Sequence, residues 1–154
     1  MESTESQIQQ SGPKPNPDLR ALDVLTGTWS LSGDTSGTVT YEWALGGFFL
    51  VQHVDMIVFG HSVKCMEVIG HLQPFGGQPG KEICSRAYDS SGNTFDYVYE
   101  VEESTLTIWA GKKGSPSYFR GKFNQNKLIN EGEWIYPGGG YKSTMTKTTY
   151  DKRT

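Results

Sequence analysis

Residues 88–101, YDSSGNTFDYVYEV, carry the clearest structural signal in the chain. Asp89-Ser90-Ser91-Gly92-Asn93 has the composition of a hairpin turn, with small polar residues that bond their own backbone and a glycine free to adopt positive φ. After it, Phe95, Tyr97, Tyr99 and Val101 alternate with Asp96, Val98 and Glu100. Period two with rings on one side is the pattern of a half-buried strand.

The same pattern extends in both directions. Upstream, Trp29 and Leu31 open a first strand, and Val39, Tyr41, Trp43 and Leu45 alternate with Thr38, Thr40 and Glu42. Gly46-Gly47 then turns the chain into residues 48–59, apolar on both faces, and Gly60 leads to residues 63–72. The Gly- and Pro-rich segment 73–81, QPFGGQPGK, is a loop before a strand at 82–88. Downstream, strands are predicted at 105–110, 117–123, 128–136 and 141–149, with connections at 111–116, 124–127 and 137–140. Ahead of them all, Pro17, Asp18 and the apolar Leu19, Leu22, Val24 and Leu25 predict a short helix ended by Gly27. Residues 1–17, polar and rich in Ser, Gln and Pro, read as a disordered leader, and residues 18–154 as a single domain.

Composition agrees. In 154 residues, 19 glycines, 8 tyrosines, 7 phenylalanines and 4 tryptophans beside only 20% charged residues exclude a coiled coil or helical bundle. A net charge of -3 and a pI near 5.6 give no general attraction for nucleic acid. No apolar run approaches the roughly 20 residues of a membrane helix, and the N-terminus lacks the basic start and apolar middle of a secretory signal. The expected compartment is therefore cytoplasmic, with Cys65 and Cys84 as reduced thiols on neighbouring strands. About ten short strands joined by hairpin-length turns form an antiparallel meander, which removes its edges by closing into an up-and-down barrel. A two-sheet sandwich is the competing architecture.

Gly27-Thr28-Trp29, a Gly-x-Trp after a short helix and opening the first strand, resembles the calycins, the barrel superfamily of lipocalins and fatty-acid-binding proteins. Together with TVTYEW at 38–43, LGGFFLVQ at 45–52 and YDSSGN at 88–93, in that order and spacing, it resembles the DUF1579 family of bacterial proteins over residues 19–150. The resemblance implies an all-β, calycin-like antiparallel barrel with a short N-terminal helix, and brings no catalytic motif. The chain is also compared with the nitrobindins, ten-stranded haem barrels with a histidine iron ligand near the C-terminal end. The last strand here, YKSTMTKTT at 141–149, has no histidine, so haem would have to use His53, His61 or His71.

Candidate chemistry divides by strand face. His53 and Asp55 share one face of the third strand with Phe49 and Val51, while Leu50, Gln52, Val54 and Met56 share the other. With the first row inward, His53 beside a carboxylate is a candidate proton-transfer group, and Glu67 on the next strand is its expected partner. Arg86 beside Tyr88, and Arg120 beside Tyr118, have the residue types that hold an oxyanion in an apolar barrel. Trp43, Tyr97, Tyr99, Trp109 and Trp134 are the aromatic stock of a pocket or a core, whereas Trp29 reads as the large residue closing one end. No C-x-x-C, no Gly-x-Ser-x-Gly and no phosphate-loop spacing around Gly76 to Lys81 is present, and no cofactor or metal is implied. The leading expectation is a barrel binding one apolar or amphipathic small molecule. The rival is a cofactor-free isomerase or cyclase using the same pocket, and a homodimer covering the outward row of 48–59 is a further possibility.

Overall fold

A computed structural model of the chain describes residues 12–148. Ten strands run in order: β1 (Gly27–Gly33), β2 (Thr35–Ala44), β3 (Phe49–Val58), β4 (His61–His71), β5 (Ile83–Asp89), β6 (Thr94–Glu102), β7 (Thr105–Ala110), β8 (Tyr118–Phe123), β9 (Ile129–Tyr136) and β10 (Gly139–Lys147). Each pairs antiparallel with the next, and β1 pairs with β10 (Trp29 opposite Lys147, Leu31 opposite Met145), so the meander is a closed barrel. The expected all-β barrel with one short N-terminal helix is what forms, and the sandwich is excluded. Most of the expected leader, residues 1–11, lies outside the described residues, as does Thr149 at the expected end of the last strand.

Two local expectations are corrected. Leu45 does not continue β2: residues Leu45–Gly47 form a 3-10 turn with positive φ at all three, and Leu45 is exposed. Gly139 and Gly140, expected in a connection, pair with Tyr136 and Ile135 as the first residues of β10, leaving Pro137 and Gly138 as the turn. Within β2, Gly37 is demanded by close approach as well as φ of +117°, since a Cβ there would stand 2.1 Å from the Asp55 carbonyl oxygen.

The N-terminal helix, Pro17–Leu25, is a 3-10 helix, and its apolar spacing shows why. Leu19, Leu22 and Leu25 recur every third residue, which at three residues per turn places them on one line, and all three are buried. They plug one end of the barrel. Trp29 Nε1 donates to the Leu25 carbonyl at 2.7 Å, Trp43 Nε1 donates to Asp23 Oδ1 at 2.8 Å, and His71 Nε2 meets Asp18 Oδ1 at 2.8 Å. The plug is thereby fixed to the end of the barrel formed by the start of β1 and the last residues of β2 and β4. Trp29 is fully buried and touches Phe123, with ring centroids 6.3 Å apart, in the end-closing place expected of it.

At the plugged end the interior is filled by side chains such as Leu50, Ile69, Leu106 and Phe123. Toward the opposite end, where the β1–β2, β3–β4, β5–β6 and β9–β10 turns lie, it is not. The row of β3 that faces inward is Leu50, Gln52, Val54, Met56 and Val58, and the row with His53 and Asp55 faces out. The outward row is accordingly broken by two exposed polar residues and is not a continuous apolar stripe.

Candidate functional site

The unfilled part of the barrel is a cavity of about 450 Å³, within the usual range for small-molecule sites. Its wall is apolar, with Val54, Met56, Ile108, Phe119, Trp134 and Met145 among its residues, and its outer part carries Phe95, Tyr136 and Tyr141. The aromatic wall is continuous: Tyr97 and Trp134 lie with ring centroids 5.8 Å apart, and Phe119 and Trp134 5.6 Å apart. Room for Phe119 comes from Gly132, where a Cβ would stand 2.3 Å from the Phe119 ring.

Polar groups gather at the floor, in a belt across β2 to β6. Tyr41 pairs with Gln52 and Gln52 with Glu67 in consecutive registers, so their inward side chains stand side by side. Gln52 Nε2 donates to the Tyr41 hydroxyl at 2.8 Å. Glu67 Oε2 accepts from Ser85 Oγ at 2.5 Å and from the Tyr99 hydroxyl at 2.7 Å. Glu67 is buried, and removal from water pushes its carboxyl pKa up against the opposing pull of the Ser85 and Tyr99 bonds. Burial likewise raises the phenols of Tyr41, Tyr97 and Tyr99, with the neighbouring Glu67 adding to the shift. Nearer the outer end, burial pushes Tyr141 up to about 12 and the Cys65 thiol up to about 11. Asp89 also borders the cavity, but its carboxylate accepts from Ser91 N, Asn93 N and Asn93 Nδ2 in the turn, which holds it below the usual carboxylate range.

The residues singled out from sequence separate into two groups. Glu67, Tyr97, Tyr99 and Trp134 are brought together on the cavity wall. His53, Trp43, Arg86, Trp109 and Arg120 are not. His53 lies opposite Met66 on the outer face while Glu67 faces in, so the expected His53–Glu67 pair does not form. Arg86 projects outward and makes a two-bond ion pair with Asp96, its cross-strand partner, at 2.7 and 3.2 Å. Arg120 also projects outward, its guanidinium 4.9 Å from the Tyr118 ring centroid and its Nε 3.3 Å from Thr107 Oγ1. The oxyanion anchor expected of the two arginines is thus absent from the interior, because Ala87 and Phe119 occupy the inward parity of their strands. Trp109 has the parity opposite to Leu106 and Ile108, so it lies off the cavity wall on the outer face, where it is nonetheless buried, with Lys113 Nζ 5.6 Å from its ring centroid. Trp43 is spent on the plug helix, where Arg20 also lies over it at 4.5 Å.

Sequence reasoning passed over three floor residues, Tyr41, Gln52 and Ser85. Gln52 had a signal: it is the single polar residue in the row Leu50, Val54, Met56, and an amide in an otherwise apolar row needs a partner inside. Among the described residues, none of the three histidines lines the cavity: His61 is exposed at the start of β4 and His71 is held by Asp18. Haem, which by the sequence would have had to use one of them, finds no histidine on the cavity wall. No helix of the described residues is long and apolar enough to cross a membrane. A scan against protein-family models and a search of curated proteins find no match to the chain.

Proposed function

We propose that this barrel binds one apolar or amphipathic small molecule, apolar body against the aromatic wall and polar end at the Glu67 floor. The observation that carries the reading is the cavity of about 450 Å³, plugged by a helix at one end, apolar along its wall and polar at its floor. Folding has left this volume unfilled although close packing would stabilise the barrel, which is the usual signature of space kept for a guest. The plug helix, the Gly-x-Trp element and the closed meander support reading the chain as a calycin-like barrel of the DUF1579 type.

Native mass spectrometry of gently purified protein, followed by titration with the uncharged dye Nile red, tests the proposal. Saturable binding with one dye per chain, accompanied by quenching of Trp134, is expected. Ala87→Phe, which places a ring in the cavity, should abolish the binding while circular dichroism is unchanged. Absence of saturable binding, or binding indifferent to Ala87→Phe, overturns the reading.

One observation favours the enzymatic rival: Glu67 is a buried carboxyl whose pKa is shifted toward the range of a general acid. Its expected partner base, His53, is outside the barrel, and this ranks binding ahead of proton-transfer catalysis.

A further inference from the structure

The geometry points to an uncharged ligand ending in a carbonyl-type oxygen, held at the cavity floor by two donors, the Glu67 carboxyl and the Tyr41 hydroxyl. This rests on the binding reading above and deepens it. Both hydrogen bonds that Glu67 receives fall on Oε2, and Oε1 has no partner among the described residues although the residue lines the cavity. A neutral carboxyl with Oε2 accepting twice carries its proton on Oε1, ready to donate. Tyr41 accepts from Gln52, and its own proton has no acceptor among the described residues. These two donors stand on strands separated only by β3, whose Gln52 lies between them.

A carbonyl oxygen has two lone pairs and no proton to place, so it satisfies both donors at once. An alcohol must also bring its own proton to an acceptor, and the one beside these donors, Gln52 Oε1, belongs to an amide whose Nε2 is already turned to Tyr41. A carboxylate would bring a negative charge into a cavity lined by Glu67 and Asp89 and by no lysine, arginine or histidine among the described residues. An amine would need Glu67 ionised, and burial opposes that by holding the carboxyl toward its neutral form. Asp89 gives an amine little further help, since its carboxylate already serves the turn with three bonds. The interior lacks the arginine that would suit a fatty acid and has the acid that would suit a ketone, aldehyde, ester or lactone.

Displacement of Nile red by four compounds of matched chain, methyl nonyl ketone, decanol, decanoate and decylamine, tests the assignment at neutral pH. The ketone is expected to displace most tightly, with decanoate at least about tenfold weaker because its charge finds no partner. Glu67→Gln keeps a donor amide and should hold the ketone within about threefold, whereas Glu67→Leu and Tyr41→Phe each remove a donor and should erase most of its advantage over decanol. Tyr41→Phe keeps the ring and guards against the result being a folding defect. Decanoate or decylamine equalling the ketone on the wild type, or a ketone preference unchanged in both donor-removing variants, overturns the inference and leaves the binding reading standing. Failure of Nile red itself to bind overturns the binding reading and this inference with it.

Discussion

Glu67 illustrates how one residue's surroundings set a measurable pH dependence. An unfolded glutamic acid titrates near about pH 4.3. Inside the barrel, burial raises the value, so the folded state binds the proton more tightly than the unfolded one. The sign follows: this residue's contribution is fully present below the unfolded pKa and is lost as pH rises toward the folded one, because the native state must then either keep a proton that water would take or bury a charge. Glu67→Gln cannot titrate and has no such loss. Its melting temperature relative to wild type is therefore expected to rise between about pH 4 and about pH 7. A difference constant across that range would show that the carboxyl is as easily ionised folded as unfolded. Gly132 makes a second residue-scale case, since a methyl group there would stand 2.3 Å from the Phe119 ring and 2.9 Å from the Arg120 carbonyl oxygen. Gly132→Ala should cost about 1–3 kcal/mol in urea unfolding, as overpacking does, and shift Phe119 into the cavity. An unchanged midpoint would mean that the ring has another place to go.

At the scale of elements, the joint between the plug helix and β1 is where stability and site separate. Trp29 is fully buried beside Phe123 and bonded to Leu25, away from the cavity wall. Trp29→Ala should lower stability by about 3–5 kcal/mol, measured by urea unfolding, with the affinity of the remaining folded protein for Nile red changed little. A stability loss under about 1 kcal/mol, close to what a surface change costs, would mean that the plug closes without it. Most strands were legible because they alternate along their length and end at a Gly-, Asn- or Pro-containing turn, the Glu103-Ser104 turn between β6 and β7 being an exception. Their inward faces were not uniformly legible, and β3 shows why: Phe49 and Val51 on one row and Leu50, Val54 and Met56 on the other are both apolar, so the period is plain and its phase is not. A shift of one residue exchanges the two faces. That single ambiguity moved His53 from a candidate interior group to the exterior and kept Gln52 from being read as a site residue. Glu67, Tyr97, Tyr99 and Trp134 needed only their own strands' phase to be placed together, whereas the Glu67–Ser85–Tyr99 contact spans β4 to β6 and depends on register across the sheet, which local periodicity does not contain.

For the whole molecule, a barrel plugged at one end has an inside and an outside that differ in access, and its two cysteines report on both. Cys65 lines the cavity on the same inward row as Glu67, two residues nearer the β3–β4 turn, so any guest lying along the wall from the floor outward passes over it. Cys84 belongs to β5 on the parity opposite Ser85 and Ala87 and is not part of that wall. Neither thiol is in a disulfide. Burial raises both thiol pKa values, to about 11 for Cys65, so both react slowly at neutral pH and their rates can be followed individually by mass spectrometry. With Nile red bound, alkylation of Cys65 by iodoacetamide should slow by at least about fivefold while that of Cys84 stays within about twofold, since occupancy blocks approach to one sulfur and leaves the surroundings of the other alone. Equal slowing of both would mean that the dye tightens the barrel generally, and no slowing of either would place the dye outside it. The site and the scaffold are the same ten strands, so occupancy of this protein has to be read from the inside of the wall.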